Sequence, residues 1–434
     1  MVKGQEMENI RFVMLSHPVA NNTLQELLEK AETAVDDIVE RLTSPLTEEE
    51  MTPAKVIPPA ERVVFKGTFE QVNDFFYRSL WSDGLPVVLP TQNAVENMLT
   101  GTDLHPEDIV ALVPPASQKA TVEKIAVNAV MAGARPEYMP VIIAAVRAIT
   151  DPRFWLAGIQ QTTNPVTPLL IVNGPIRKDL DINSGSGCFG PGWRANATIG
   201  RAIRLIMINI GGAFPKVNDL ATQGQPGKYT MCIAENEEAL PPTWEPLHVE
   251  LGFNKDISTV TAFPAQDMRK TGYGLAAMAE GMMTATQYPT CANLGQVLTV
   301  FSPEDIKLVL NGIYAPPTIV EGCLTKEAAK RYLYENSAVP WERHIRGGYT
   351  TIWRLSGHYK PSGAYACVQA YENGRVPIVQ APEKIVIVVA GGAGLHSVAI
   401  SSAGISEMVT REIQLPTNWD ELLASAKPHG RSPL

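Results

Sequence analysis

The best nucleophile candidate in this chain is Cys188, which lies in the glycine-rich stretch Asn183 to Gly200, NSGSGCFGPGWRANATIG. Glycine lets backbone N–H groups approach a ligand, and the helix predicted to follow favours negative charge at its start. Amide dipoles and Arg194 can lower the Cys188 pKa toward a thiolate; the plain alternative is a small buried hydrophobe. Gly190, Gly192, Arg194, Asn196 and Arg201 form a candidate binding set for a carboxylate or phosphate. The match to a phosphate loop is generic, since no GxxxxGK[ST] is present. On the following helix Ile199, Ile203, Ile206 and Ile210 share one side, and Arg194, Arg201 and Arg204 the other. That cationic side is either a solvated face or part of the anion site.

Glu235 and His248 are the acid/base candidates, because a carboxylate at a strand end and an imidazole can meet across the loop ALPPTWEP. A solvated acidic turn and a packed surface histidine are the competing readings. Near the C-terminus, KIVIVVAGGAGLHSVAI reads as a strand, a turn at Gly391, Gly392 and Gly394, and a short helix with His396 and Ser397. Such a turn either cradles an anion or packs a strand closely on a helix. Asp83, Arg135 and Glu137 stand at predicted breaks, where capping is the default role. No metal site is legible: the seven histidines never pair at i+2, i+3 or i+4, and no HExxH exists. No cofactor motif is complete either. Met278, Met282 and Met283 fit a packed core helix.

Positioning these groups requires alternating strands and helices, so the fold class is α/β: two lobes of mixed sheets flanked by helices, with an N-terminal helical extension. The spacing predicts strands over 63–66, 86–89, 109–113, 169–172, 229–234, 260–263, 297–301 and 384–390. Helices are expected over 23–42, 69–81, 122–131, 141–149, 195–210, 273–286, 303–311 and 326–335, with a hinge at Gly133 to Pro136. The divisions are 1–60, an extension with the connector MTPAKVIPPAE; 61–250, a first lobe with the Gly-rich loop; and 251–434, a second lobe with the C-terminal strand and turn. No fixed-period repeat is visible. In the first helix Leu24, Leu27, Leu28, Ala31, Ala34 and Ile38 have helical spacing, so it is expected to pack on something.

Composition narrows the function. With 36 Lys+Arg against 45 Asp+Glu, a net charge of −9 and no basic run, nucleic acid is excluded as a partner. Glu6 and Glu8 interrupt any secretory core, and the longest apolar run is too short for the ~20 residues of a membrane span. Cysteines at 188, 232, 291, 323 and 367 make no CxxC pair and read as reduced thiols in a cytoplasmic protein. A charged fraction of 19% is low, which points to large buried areas and a homo-oligomer.

Taken together, WSDGLPVVLPT, TVEKIAVNAVMAGARPEYMPV, IVNGPI, GPGWRANATIGRAIRL, GQPGKYTMCIAENEE and KIVIVVAGGAGLHS resemble a bacterial family labelled with the UGSC selenoprotein group, over roughly residues 60 to 415. The resemblance implies thiol or selenol redox chemistry, or reductive bond cleavage. This chain has no CGSC; its nearest text is SGSGC, ending at Cys188. Where that family is expected to carry cysteine in AGxRPEY, this sequence has Ala134. The departure implies different chemistry, or a small co-encoded partner that carries the reactive chalcogen.

The expected function is a cytoplasmic enzyme acting on a small anionic metabolite, with Cys188 as nucleophile or redox thiol and Glu235 and His248 moving protons. One alternative is a thiol-independent lyase, hydratase or isomerase using the Glu/His pair. The other is a non-catalytic subunit that needs a partner.

Overall fold

The fold was analysed in a computed structural model, which describes residues 11, 13, 15, 22–51, 63–285, 295–311, 324–340, 375–376, 378–404 and 406–426. Cys291, Cys323 and Cys367 lie outside the described residues.

The chain begins with α1 (Leu24–Thr43) and α2 (Glu48–Met51), followed by α3 (Phe69–Arg78) and α4 (Gln92–Leu99). Thr23 caps α1 in a reciprocal box with Glu26, and Thr68 caps α3 with Gln71, so both helices start where a side-chain oxygen replaces a missing carbonyl. A hairpin of β1 (Ile109–Val113) and β2 (Gln118–Thr121) leads into α5 (Val122–Ala132) and α6 (Met139–Ile149). Between those two helices Gly133 takes a φ of +83°, which ends α5 at the expected hinge. Next come α7 (Leu156–Gln161), β3 (Thr167–Asn173), α8 (Ile176–Asp179), α9 (Arg194–Asn209), β4 (Cys232–Ala234), α10 (Leu247–Glu250) and β5 (Thr259–Lys270). The remainder holds α11 (Gly274–Ala285), β6 (Val297–Phe301), α12 (Pro303–Leu310), α13 (Lys326–Asn336), the pair β7 (Val339–Pro340) and β8 (Arg375–Val376), β9 (Ile385–Val389), β10 (Val398–Ser402), β11 (Val409–Glu412) and α14 (Trp419–Ser425).

Both expected lobes contribute to one seven-stranded mixed sheet, ordered β4-β3-β5-β10-β6-β9 with β11 also on β5. The division near residue 250 therefore does not separate two sheets, because β5 is laddered to β3 from residue 259 to 265 and to β10 beyond it. A repeat absent from the sequence appears in the topology. In each half a first strand is followed by a crossover and a parallel partner (β3 with β4, β6 with β9), then an antiparallel strand on the first (β5, β10).

Side-chain alternation explains the layers. Leu169, Ile171, Ile233 and Phe263 from one half meet Leu298, Val300, Val386, Val388 and Ile400 from the other in a single inner cluster. The sheet thus curls over its own inner face, and the Asn236 amide donates to the Val389 carbonyl at 2.7 Å where the two outer strands end. On the outer faces, α5, α6 and α9 cover β3 and β5, while α11, α12 and α13 cover β6 and β9.

Three local expectations are corrected. Residues 63–66 and 86–89 join no ladder: the Val87 amide is taken by the Asn73 side chain at 2.7 Å, and prolines bracket the segment. His396 and Ser397 do not enter a helix; the glycine turn runs straight into β10. α1 is confirmed but largely uncovered, with Ala34 its one buried residue.

Candidate functional site

The inner faces of β3 and β4 are apolar until their carboxyl ends. Two residues past the paired Ile171 and Ile233 stand Asn173 and Glu235; the same count from Val300 and Val388 in the other half reaches Ser302 and Ala390. The duplicated architecture thus carries a carboxylate at this place in one half only.

Glu235 and Asn173 are both 0% exposed. Glu235 Oε2 accepts from Asn173 Nδ2 at 2.6 Å and from the Leu247 amide at 2.8 Å. Asn173 Nδ2 also donates to Glu237 Oε1 at 3.0 Å, and the Gly174 amide donates to that same oxygen at 2.7 Å. Arg177 closes the cluster: it pairs with Glu237 Oε2 at 2.8 Å, donates to the Glu235 carbonyl at 2.9 Å and reaches Glu238. His248 is fully buried, with Nδ1 3.9 Å from Glu237 Oε1 and Nε2 3.3 Å from the Lys255 carbonyl. From the second half Lys326, on α13, pairs with Glu250 at 2.8 Å and exerts a positive field on Glu235.

Burial pushes the Glu235 carboxyl above its usual range; the field of Lys326 and the two donated hydrogen bonds oppose this without cancelling it. Its Oε1 accepts no hydrogen bond among the described residues, and the same holds for His248 Nδ1, Asn173 Oδ1 and the Thr259 hydroxyl, which faces Asn173 across the β3–β5 ladder. Each such buried orphan costs about 1–3 kcal/mol.

The sequence-predicted residues do not gather in one place. Glu235 and His248 belong to this one cluster, linked through Glu237 and Asn173 rather than by direct contact. Cys188 joins the apolar inner cluster instead, and burial pushes its thiol up to about 11. Cys232 is likewise buried and pushed up to about 12; neither forms a disulfide.

The glycine segments meet each other. The Gly391 amide donates to the Ser184 carbonyl at 2.8 Å, and a Cβ on Gly392 would lie 2.6 Å from Ser186 Cβ. Their donors are largely consumed from within: Gly185 N by Asn183 Oδ1, Cys188 N by the Gly185 carbonyl, Gly190 N by the Gly187 carbonyl, and Gly394 N by the Glu304 carboxylate. Close packing therefore explains Gly190, Gly391 and Gly392 better than an open anion cradle; Gly192 stands out only by a φ of +131°. His396 is exposed, its ring 6.3 Å from that of Tyr273.

Asn196 is a positioning residue. Its side chain accepts from Asn183 N at 2.8 Å and donates to the carbonyls of Asn183 and Cys232 at 3.0 Å each, fastening the loop to β4. Arg201 is not available to an anionic ligand in the expected way, because both its Nε and Nη2 bind Asp83 at 2.8 Å. Arg204 is buried against the Lys228 carbonyl and Thr167, so the expected solvated cationic face does not exist. Arg194 remains exposed, and both it and Arg135 act electrostatically on the buried Tyr138 hydroxyl, whose pKa desolvation raises to about 12. Arg135 pairs with Glu137 at 2.8 Å.

Asn173, Arg177, Thr259 and Lys326 escaped the sequence reading. The signal for the first two was present in VNGPIR, a buried strand whose last residue is polar and is followed by Gly-Pro. A separate cavity of about 1190 Å³, walled by Phe76, Trp81, Val95 and Met131, includes none of the predicted site residues.

A comparison with protein-family models gave no match to this chain, and a comparison with curated proteins gave none either.

Proposed function

We propose that this chain is an enzyme that moves a proton on a small anionic molecule without using a thiol, in the class of lyases, hydratases and isomerases. Glu235 carries the proton. The observation behind this reading is that its carboxyl is completely buried, raised in pKa by desolvation, held through Oε2 by two donors, and without a partner at Oε1. A buried carboxyl with a raised pKa is suited to general acid work, whereas Glu237 pairs with Arg177. His248 is the second proton carrier. Four unpartnered buried polar atoms lie together in this one cluster, which supports a polar ligand there. Glu235 and His248 come from the first half and Lys326 from the second, which supports a site placed where the two topological halves meet.

The test is solvent exchange. Small carboxylates and phosphates that raise the melting temperature are incubated with the protein in D2O, and deuterium entry at carbon is followed by proton NMR. Exchange by the wild type that is lost in Glu235→Gln and His248→Gln supports the reading; bound ligands with no exchange, or exchange unaffected by both variants, overturn it.

A second reading follows the UGSC resemblance. Arg194 and Arg135 act on the same buried tyrosine, so the AGARPEY turn and the start of α9 face one another beside Ala134. In that reading the corner receives an anionic substrate, and a partner protein brings the thiol or selenol. Activity that appears only with a co-encoded partner would support it. Cytoplasmic localisation belongs to both readings; among the described residues no helix is long and apolar enough to cross a membrane.

A further inference from the structure

We infer that α1 is a self-association element, whose exposed stripe pairs with α1 of a second copy of this chain. The stripe has the 3.5-residue period of a helix seam: Leu28, Val35 and Leu42 fall on one heptad position, and Leu24, Ala31 and Ile38 on the other. Leu24, Leu28, Val35, Ile38 and Leu42 are 43% to 80% exposed, and so is Val39 beside them. Charge is arranged to match. Of the six acids of α1, Glu26, Glu29, Asp36, Asp37 and Glu40 fall on the three heptad positions away from the seam, so a paired helix keeps these five in water, and Glu32 flanks the seam.

The helix is also finished at both ends without help from the sheet. Thr23 and Glu26 form the reciprocal cap, while the Arg11 guanidinium donates to the carbonyls of Arg41, Ser44 and Pro45 at 2.6 to 2.7 Å. Twenty residues at about 1.5 Å each give a seam of about 30 Å. Covering six half-exposed aliphatic side chains removes roughly 500–600 Å² per copy, or about 1,000–1,200 Å² for the pair, at the lower end of specific interfaces. A symmetric stripe meeting itself needs no second surface, which is the condition for a closed two-fold dimer.

The predicted association is therefore a concentration-dependent dimer. Sedimentation equilibrium of the full chain from about 1 to 100 μM tests it, with the double variant Val35→Lys/Ile38→Lys in parallel. The expected result is a concentration-dependent dimer for the wild type and at least a tenfold weaker one for the variant, with unchanged melting of the body because both positions face solvent. Val35→Cys under mild oxidation should give a disulfide-linked dimer that the wild type does not form. A wild type that stays monomeric at 100 μM, as when α1 packs on its own chain, overturns the inference. So does a dimer that the two lysines leave intact.

Discussion

One amide group, Asn173 Nδ2, holds two carboxylates at once: it donates to Glu235 Oε2 at 2.6 Å and to Glu237 Oε1 at 3.0 Å. Two like charges this close to one donor are tolerated only if one is compensated or neutral. Arg177 compensates Glu237, and burial favours the protonated form of Glu235. The division between the two carboxyls is thus produced by position on the sheet: Glu235 continues the inner apolar face of β4, while Glu237 lies two residues further on, within reach of the crossover after β3.

This division predicts a pH dependence of stability. Because the folded Glu235 binds its proton more tightly than the unfolded chain does, its contribution is fully present below the ordinary carboxylate pKa of 4.5 and is lost as pH rises through the elevated folded value. Asp305, raised by burial as well, adds a slope of the same sign. Glu235→Gln keeps an oxygen for Asn173 and Leu247 and has nothing to ionise. The difference in unfolding free energy between wild type and variant, from urea titrations at pH 4 to 8, should grow with pH in favour of the variant. A difference that is flat with pH would mean that folding leaves the Glu235 pKa unshifted.

Cys188 should behave as an inert thiol. Its pKa near 11 and its place among Leu169, Phe263 and Val388 leave almost no thiolate at neutral pH. Alkylation of the native protein at pH 7.5, read by mass spectrometry, should leave Cys188 unmodified over hours and label it after denaturation. Cys188→Ser should retain any activity found. Rapid labelling of the native protein at neutral pH would return the thiol mechanism to first place.

The periodicity of apolar residues located β1, β3, β5, β6, β9 and the helices that cover them, because each is long enough to show its period. It misjudged 63–66 and 86–89, where β-branched residues run extended but a side chain, Asn73, takes the place of a neighbouring strand. The topological repeat was invisible because equivalent positions such as Glu235 and Ala390 share only a place in the sheet. At the site, a polar residue ending a strand was readable at Glu235. The partners were not: Asn173 lies 62 residues from Glu235 in sequence, and nothing local announces a meeting at that distance. Arg201 misled for the same reason, since its partner Asp83 is 118 residues away.

That distant pair yields a stability prediction. Asp83 is 3% exposed and Arg201 15%, with two parallel hydrogen bonds and a further one from Arg201 to the Pro86 carbonyl at 2.9 Å. Asp83→Ala leaves a mostly buried guanidinium without its counter-charge, and should lower the unfolding free energy by about 2–4 kcal/mol. Were Arg201 a ligand for substrate instead, the same variant would leave stability nearly unchanged and alter anion binding. Urea denaturation with and without added phosphate distinguishes the two.

The meeting of the two glycine segments can be tested by a single methyl group. Gly392 does not occupy the left-handed region, so Gly392→Ala carries no backbone penalty; its Cβ instead lies 2.6 Å from Ser186 Cβ and 2.8 Å from Ser186 Cα. Overpacking of this kind costs about 1–3 kcal/mol. The loop from Asn183 to Gly192 must shift, and Asn196, which fastens that loop to β4, loses its geometry. Relief should come from the partner side: Ser186→Gly removes Cβ and should restore much of the lost stability in the double variant while having little effect alone. Equal and additive losses in the two single variants would show that Gly392 and Ser186 are not in contact.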